Sequence, residues 1–107
     1  MRIIDTGVTK EILSGDNHPQ LKIGDKLYTV DDRQSTFDKI QDVQADESMS
    51  QKEKTNKIYE LALGKKEAQE IEKMDLPVAN YIYLSFCVMG AITGEDPKKL
   101  QEEARKN

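Results

Sequence analysis

The chain has 107 residues, the size of a single domain, and 34% of them are charged against 36% hydrophobic. The net charge of −4 argues against a general affinity for nucleic acid or anionic membranes, whose phosphates attract clustered positive charge. The single cysteine, Cys87, cannot form an internal disulfide, which indicates a reducing compartment such as the cytoplasm.

The first thirty residues predict extended structure. The segment "MRIIDTGVTKEILSGDN" has no continuous apolar run and does not match a signal peptide. Residues 2–4 and 10–13 are candidates for a strand, and "SGDNHPQ" is a cluster of turn-forming residues. Two strand-like runs joined at Gly24-Asp25 then predict a β-hairpin over residues 21–30, with Tyr28 and Val30 on one face.

From residue 34 onward the apolar spacing becomes helical. Phe37 and Ile40 predict a helix over 34–44. Ser50 and Glu53 form a capping-box pattern at the start of a second helix, which we expect to end in a left-handed cap at Gly64.

A third helix follows Gly64 and carries Ala68, Ile71 and Met74 on one side. Pro77 should end it and form the first turn of the next helix. Asp96 and Pro97 predict the N-cap and first position of a terminal helix over 95–107, which we expect to fray or stand free.

The stretch "LPVANYIYLSFCVMGAITG", residues 76–94, is the longest run without a charged residue. It is shorter than the ~20 apolar residues of a membrane span and contains Asn80, Ser85 and Thr93, so a span is excluded. Apolar side chains surround its whole circumference, whereas a surface helix has a single apolar stripe. We therefore expect a helix buried on most sides, either inside the domain or partly by another chain.

No catalytic or metal-binding pattern emerges from the sequence. His18 lies in the turn cluster, and no second histidine or cysteine is near it for a zinc site. Nucleotide-binding glycine motifs and the nucleophile elbow are absent. The acidic residues around 31–42 lack the spacing of a calcium loop. We expect a protein that is not an enzyme and has no cofactor or metal.

A weak basic patch lies around the second predicted helix. Glu53 and Glu60 interrupt it, and no arginine or aromatic residue interleaves it as base stacking requires. Nucleic-acid binding is therefore disfavoured. The lysines concerned are Lys52, Lys54, Lys57, Lys65 and Lys66.

The segments "LKIGDKLYTVDD", "STFDKIQDV", "NKIYELALG" and "LPVANYIYLSFCVMGAITGEDP" resemble the tail assembly chaperones of phages that infect Gram-positive bacteria. The resemblance covers about residues 21–97 and rests on the order of a hairpin, charged helices and a late apolar helix. It implies a cytoplasmic protein that coats the tape-measure protein and keeps it soluble while the tail tube forms. It also implies contact with other tail proteins, and no catalytic residue or cofactor.

The fold expected from these patterns is a single mainly α (α+β) domain, residues 1–107. It consists of an extended and hairpin region (1–30), a helical core (34–94) and a terminal helix (95–107). The hairpin is followed by four or five helices in a small bundle. Its function is expected to be protein binding as a phage tail assembly chaperone. The alternative is a small helical adaptor or regulatory protein of a prophage or mobile element, associated with DNA as an oligomer.

A holding chaperone needs apolar surface surrounded by charge. The aromatic residues and methionine of the apolar helix suit that role, because such side chains are common at interfaces. The candidate partner-binding residues are Tyr81, Tyr83, Phe86 and Met89. The competing interpretation is that this helix forms the centre of the core. These patterns are also compatible with a homo-oligomer.

Overall fold

The computed structural model describes residues 1–15 and 17–105. Within them the chain is mainly helical, with a two-stranded antiparallel hairpin that a short helix precedes and five helices follow, and this confirms the predicted fold class. Asp16 of the predicted turn cluster and residues 106–107 of the predicted terminal helix lie outside the described residues. The elements are α1 (Lys10–Ser14), β1 (Gln20–Ile23), β2 (Lys26–Thr29), α2 (Gln34–Ala45), α3 (Gln51–Leu63), α4 (Lys65–Lys73), α5 (Val78–Thr93) and α6 (Pro97–Arg105).

Residues 1–14, which we call the N-terminal arm, contain no strand, so the candidate strands at 2–4 and 10–13 were wrong. Residues 10–13 instead belong to the single-turn helix α1. The side chain of Thr9 caps it by accepting a hydrogen bond from the Ile12 amide at 3.3 Å. Gly15, with a φ of 78°, ends it in the left-handed conformation. These local signals outweigh the strand preference because no neighbouring strand pairs with the arm.

The hairpin has the predicted turn at Gly24-Asp25, and its register pairs Leu21 with Tyr28 and Lys22 with Leu27. Its inner face buries Tyr28 together with Val30, which follows β2. Hydrogen bonds are among the contacts that attach it to the helices. The Asp31 amide donates to the Ala62 carbonyl at 2.8 Å, and the Tyr28 hydroxyl donates to Glu70 at 3.1 Å. The hairpin is therefore stabilised by its contacts with the helices, whereas an isolated two-stranded hairpin is at best marginally stable.

Helix α3 is the centre of the bundle and packs against α2, α4 and α5. The predicted capping box at its start is present, with Ser50 accepting from the Glu53 amide and Glu53 accepting from the Ser50 amide. Gly64 follows it with a φ of 110° and a ψ of 155°, an extended positive-φ conformation and not the left-handed cap we expected. Gly64 also precedes α4 directly, so one residue both ends α3 and starts α4. The residues of α3 that are buried are Thr55, Ile58, Tyr59, Ala62 and Leu63.

Helix α5 is less buried than the sequence predicted. Only Val88 and Gly90 of its sixteen residues are buried, although it is the most apolar helix of the described chain. Its other apolar residues that pack on the core are half-buried. The expectation of burial on most sides was wrong because α3, flanked by α2, α4 and α5, occupies the centre and leaves α5 at the periphery. Pro77 is the residue before the helix and not its first turn. None of the helices in residues 1–15 and 17–105 is long and apolar enough to cross a bilayer.

Helix α6 packs against α5 and does not stand free as predicted. Asp96 caps it as expected, accepting from the Lys98 amide at 2.9 Å, and Pro97 is its first residue. The contact depends on Gly90, because a Cβ atom at that position would lie 2.7 Å from the Glu95 carbonyl oxygen and 2.9 Å from Cγ of Pro97. Two segments of backbone approach closely at this point.

Candidate functional site

An apolar groove opens where α4 ends and α5 begins. We call it the α4–α5 groove; its volume is about 350 Å³. Its floor is formed by Ile71, which is fully buried, and by the half-buried Leu76 and Tyr81. The first turns of α5 form its edge, where Val78 is 74% exposed and Ile82 is 42% exposed. The polar residues around it are Gln51, Lys52, Thr55, Glu72 and Asp75.

The groove exists because the chain leaves α4 abruptly. Met74 ends α4, and Asp75 then takes a positive φ of 48°, a conformation that aspartate tolerates better than most residues. Residues 75–77 lie outside both helices, and Pro77 directly precedes α5 with a ψ of 143°. The groove is the space enclosed by the end of α4, the start of α5 and the start of α3.

Helix α6 covers the second half of α5 and leaves the first half open. Pro97 lies against Gly90, and Ala104 lines a cavity with Ser85 and Phe86, so the two helices run antiparallel. At about 1.5 Å per residue, the nine residues of α6 are roughly half as long as the sixteen of α5. Val78 and Ile82 lie beyond the reach of α6, and this explains their exposure.

Tyr81 joins the groove to the core. Its ring meets that of Tyr59 edge to face, with centroids 5.3 Å apart and planes at 89°, and its carbonyl accepts a hydrogen bond from the Tyr59 hydroxyl. The Tyr81 hydroxyl itself is enclosed and lies near the polar side chains of Asn56 and Glu72. Burial raises the pKa of this hydroxyl, so Tyr81 stays a neutral donor at physiological pH.

The four candidate partner-binding residues do not form one surface. Tyr81 faces Tyr59 and the core. Phe86 and Met89 line a smaller cavity with Ala104 of α6. Tyr83, two residues from Tyr81 and so on the far side of the helix, is half-buried near Cys87. Burial raises the pKa of Cys87.

Sequence reasoning did not single out the exposed pair Val78 and Ile82. Their spacing of four residues does place them on one helix face, so a signal existed. The sequence did not distinguish this pair from the other apolar residues of α5, because the length and docking of α6 decide which of those residues are covered.

A second cavity, of about 740 Å³, lies between the N-terminal arm and the end of α3. Its charged side chains are paired with one another. Nδ1 of His18 lies 2.7 Å from Asp32, and Arg33 donates two hydrogen bonds to Asp31, at 2.7 and 2.9 Å. No cluster of three or more metal-ligating side chains occurs among residues 1–15 and 17–105.

Asp31 gives a testable pH dependence. Hydrogen bonds from Arg33, and to a lesser extent from the Thr36 hydroxyl at 2.8 Å, hold the pKa of its carboxyl well below the usual range. We expect Asp31→Asn to lower the free energy of unfolding by about 1 kcal/mol at pH 7, allowing for partial solvent screening. Because the folded pKa is lowered, the difference from wild type should persist above about pH 4 and disappear as the pH falls towards the folded value. Urea unfolding at several pH values measures it, and a difference that grows in acid would contradict this assignment.

Comparisons of the chain with protein-family models, with curated proteins and with solved structures each found no match. The function must therefore be argued from the groove, the surface and the sequence patterns.

Proposed function

We propose that the protein acts by binding another protein and shielding its apolar segments, without catalysis. The observation that carries this proposal is the uncovered start of α5, where Val78 and Ile82 lie at the edge of the α4–α5 groove. Large contiguous apolar patches on the surface of a protein usually mark a binding site. Charged residues around the groove, among them Lys52, Glu72 and Asp75, would keep such a surface soluble.

Within this class, we propose a phage tail assembly chaperone that holds the tape-measure protein soluble in the host cytoplasm. The resemblance of residues 21–97 to that family supports this assignment. So does the groove, which can accept the apolar face of an amphipathic helix, a common mode of peptide recognition. The contacts with the tape-measure protein would then centre on Val78 and Ile82, with Tyr81 as the groove floor.

Co-expression with the tape-measure protein, sought as the product of the adjacent downstream gene, tests the proposal. Wild type should keep that protein in the soluble fraction, and Val78→Asp should reduce the soluble amount several-fold. Because Val78 is mostly exposed, the substitution should change the stability by less than about 0.5 kcal/mol. Asn80→Asp places the same charge on an exposed position of α5 outside the groove and should have no effect.

The result that would overturn the proposal is a tape-measure protein that stays insoluble with wild type. Salt-sensitive binding of DNA by wild type would instead favour the adaptor of a mobile element. Equal effects of Val78→Asp and Asn80→Asp would show that binding does not depend on the groove.

A further inference from the structure

Two apolar surfaces of the described chain are uncovered, and together they contain nine of its ten large exposed apolar side chains. Three belong to or adjoin the α4–α5 groove, namely Met74, Val78 and Ile82. Six belong to the N-terminal arm, namely Met1, Ile3, Ile4, Val8, Ile12 and Leu13. Exposed apolar surface of this extent on a charged protein indicates an interaction site. A contact between the two surfaces would cover part of each.

The arm does not cover the groove of its own chain. Ile12 and Leu13 line the cavity beside the end of α3, whereas the groove lies beside its start, at Lys52 and Thr55. These points are roughly 15 Å apart along the helix at 1.5 Å per residue. Residues 1–9 are all exposed, and their hydrogen bonds include one from the Gly7 amide to Asp5 at 2.9 Å.

The charges of the two surfaces are complementary. In the arm, Arg2 and Asp5 flank the apolar pair Ile3 and Ile4, which are 86% and 69% exposed. Around the groove, Glu72 and Asp75 are negative and Lys52 is positive. Neither Arg2 nor Asp75 has an ion-pair partner in the described part of the chain. An arm placed with Arg2 towards Asp75 would pair these two charges. Asp5 would then lie towards Lys52, whose ammonium is now 3.8 Å from Glu72.

We propose that residues 2–5 of one copy dock in the α4–α5 groove of a second copy, with Ile3 and Ile4 against Val78 and Ile82. Two copies that exchange arms form a symmetric dimer, in which each copy supplies one arm and one groove. The proposal rests on the geometry of the chain and does not depend on the proposed chaperone function. It does imply that a client entering the groove competes with the arm of the second copy.

Sedimentation velocity on the full chain, over roughly 1–500 μM, tests this association. Wild type should dimerise. The arm variant Ile3→Asp/Ile4→Asp and the groove variant Val78→Asp/Ile82→Asp should each raise the dimer dissociation constant at least about tenfold. Leu27→Asp is the matched control, because Leu27 is an exposed apolar residue of β2 outside both surfaces, and it should dimerise like wild type. Circular dichroism verifies that all variants are folded.

Mixing the two variants gives the decisive result. The groove variant has an intact arm and the arm variant an intact groove, so a 1:1 mixture should form a heterodimer that neither variant forms alone. Each outcome has a clear meaning. A monomeric wild type overturns the proposal, and so does an arm variant that still dimerises, which would indicate pairing of α5 helices. Failure of the folded variants to complement each other overturns it as well.

Discussion

Replacing Tyr59 with alanine is expected to lower the free energy of unfolding by about 3–5 kcal/mol, the cost of removing a fully buried aromatic side chain. Tyr59 lies on the central helix α3, stacks edge to face on Tyr81 and hydrogen-bonds to the Tyr81 carbonyl. It is therefore the main link between α3 and α5. Since small domains are stable by only about 5–15 kcal/mol, the variant should be largely unfolded under mild denaturing conditions. Urea or thermal unfolding followed by circular dichroism measures the loss.

Tyr59→Phe is the matched control for this prediction, because it keeps the ring and removes only the hydroxyl. It should cost about 1 kcal/mol, the usual contribution of one hydrogen bond. If the phenylalanine variant were as unstable as the alanine variant, the hydrogen bond and not the aromatic packing would be the main link. A small effect of both variants would show that α3 is not the centre of the core.

Replacing Gly90 with valine is expected to detach α6 from α5 and to destabilise the protein by about 1–3 kcal/mol through overpacking. A Cβ atom at this position would lie 2.7 Å from the Glu95 carbonyl oxygen, and backbone cannot yield as a flexible side chain can. The direction of the effect is informative. Replacing a helical glycine by alanine normally stabilises a helix by about 1 kcal/mol, so a destabilising Gly90→Ala would already reveal the close approach. Hydrogen exchange of the α6 amides is the direct measurement.

Ala79→Val provides the comparison on the same helix. Ala79 is exposed, so valine there changes helix propensity but meets no second helix. Protection of residues 97–105 should fall in Gly90→Val and remain unchanged in Ala79→Val. Equal protection in the two variants would mean that α6 is not held through Gly90. Detachment should also uncover Phe86 and Met89, which line a cavity together with Ala104 of α6.

Much of the fold was predictable because its signals are local. The Gly24-Asp25 turn, the capping box of Ser50 and Glu53 and the Asp96 cap act over two to four residues, and each is present in the structure. The N-terminal arm was the exception. Its β-branched residues favoured a strand, but a strand needs a partner, and Thr9 and Gly15 supplied helix signals instead.

The site was only partly predictable. The apolar helix was correctly identified as the distinctive feature, and the proposed contact surface lies on it. Which of its residues contact a partner stays a prediction. Tyr81 serves the core through Tyr59, Phe86 and Met89 share a cavity with α6, and the exposed residues at the groove are Val78 and Ile82. The apolar character of a side chain indicates that it favours burial, but it does not indicate which neighbouring element buries it.

By itself, the sequence determined where the hairpin and the helices after it lie, and which of these helices is the most apolar. These properties follow from hydrogen bonds and conformational preferences of residues close together in the chain. Only the tertiary structure decided that the more polar α3 is central, that Gly90 admits α6, and that the start of α5 stays open beside α4. Those outcomes depend on contacts between segments that are distant in the sequence. The distances between such segments are set only when the helices pack together.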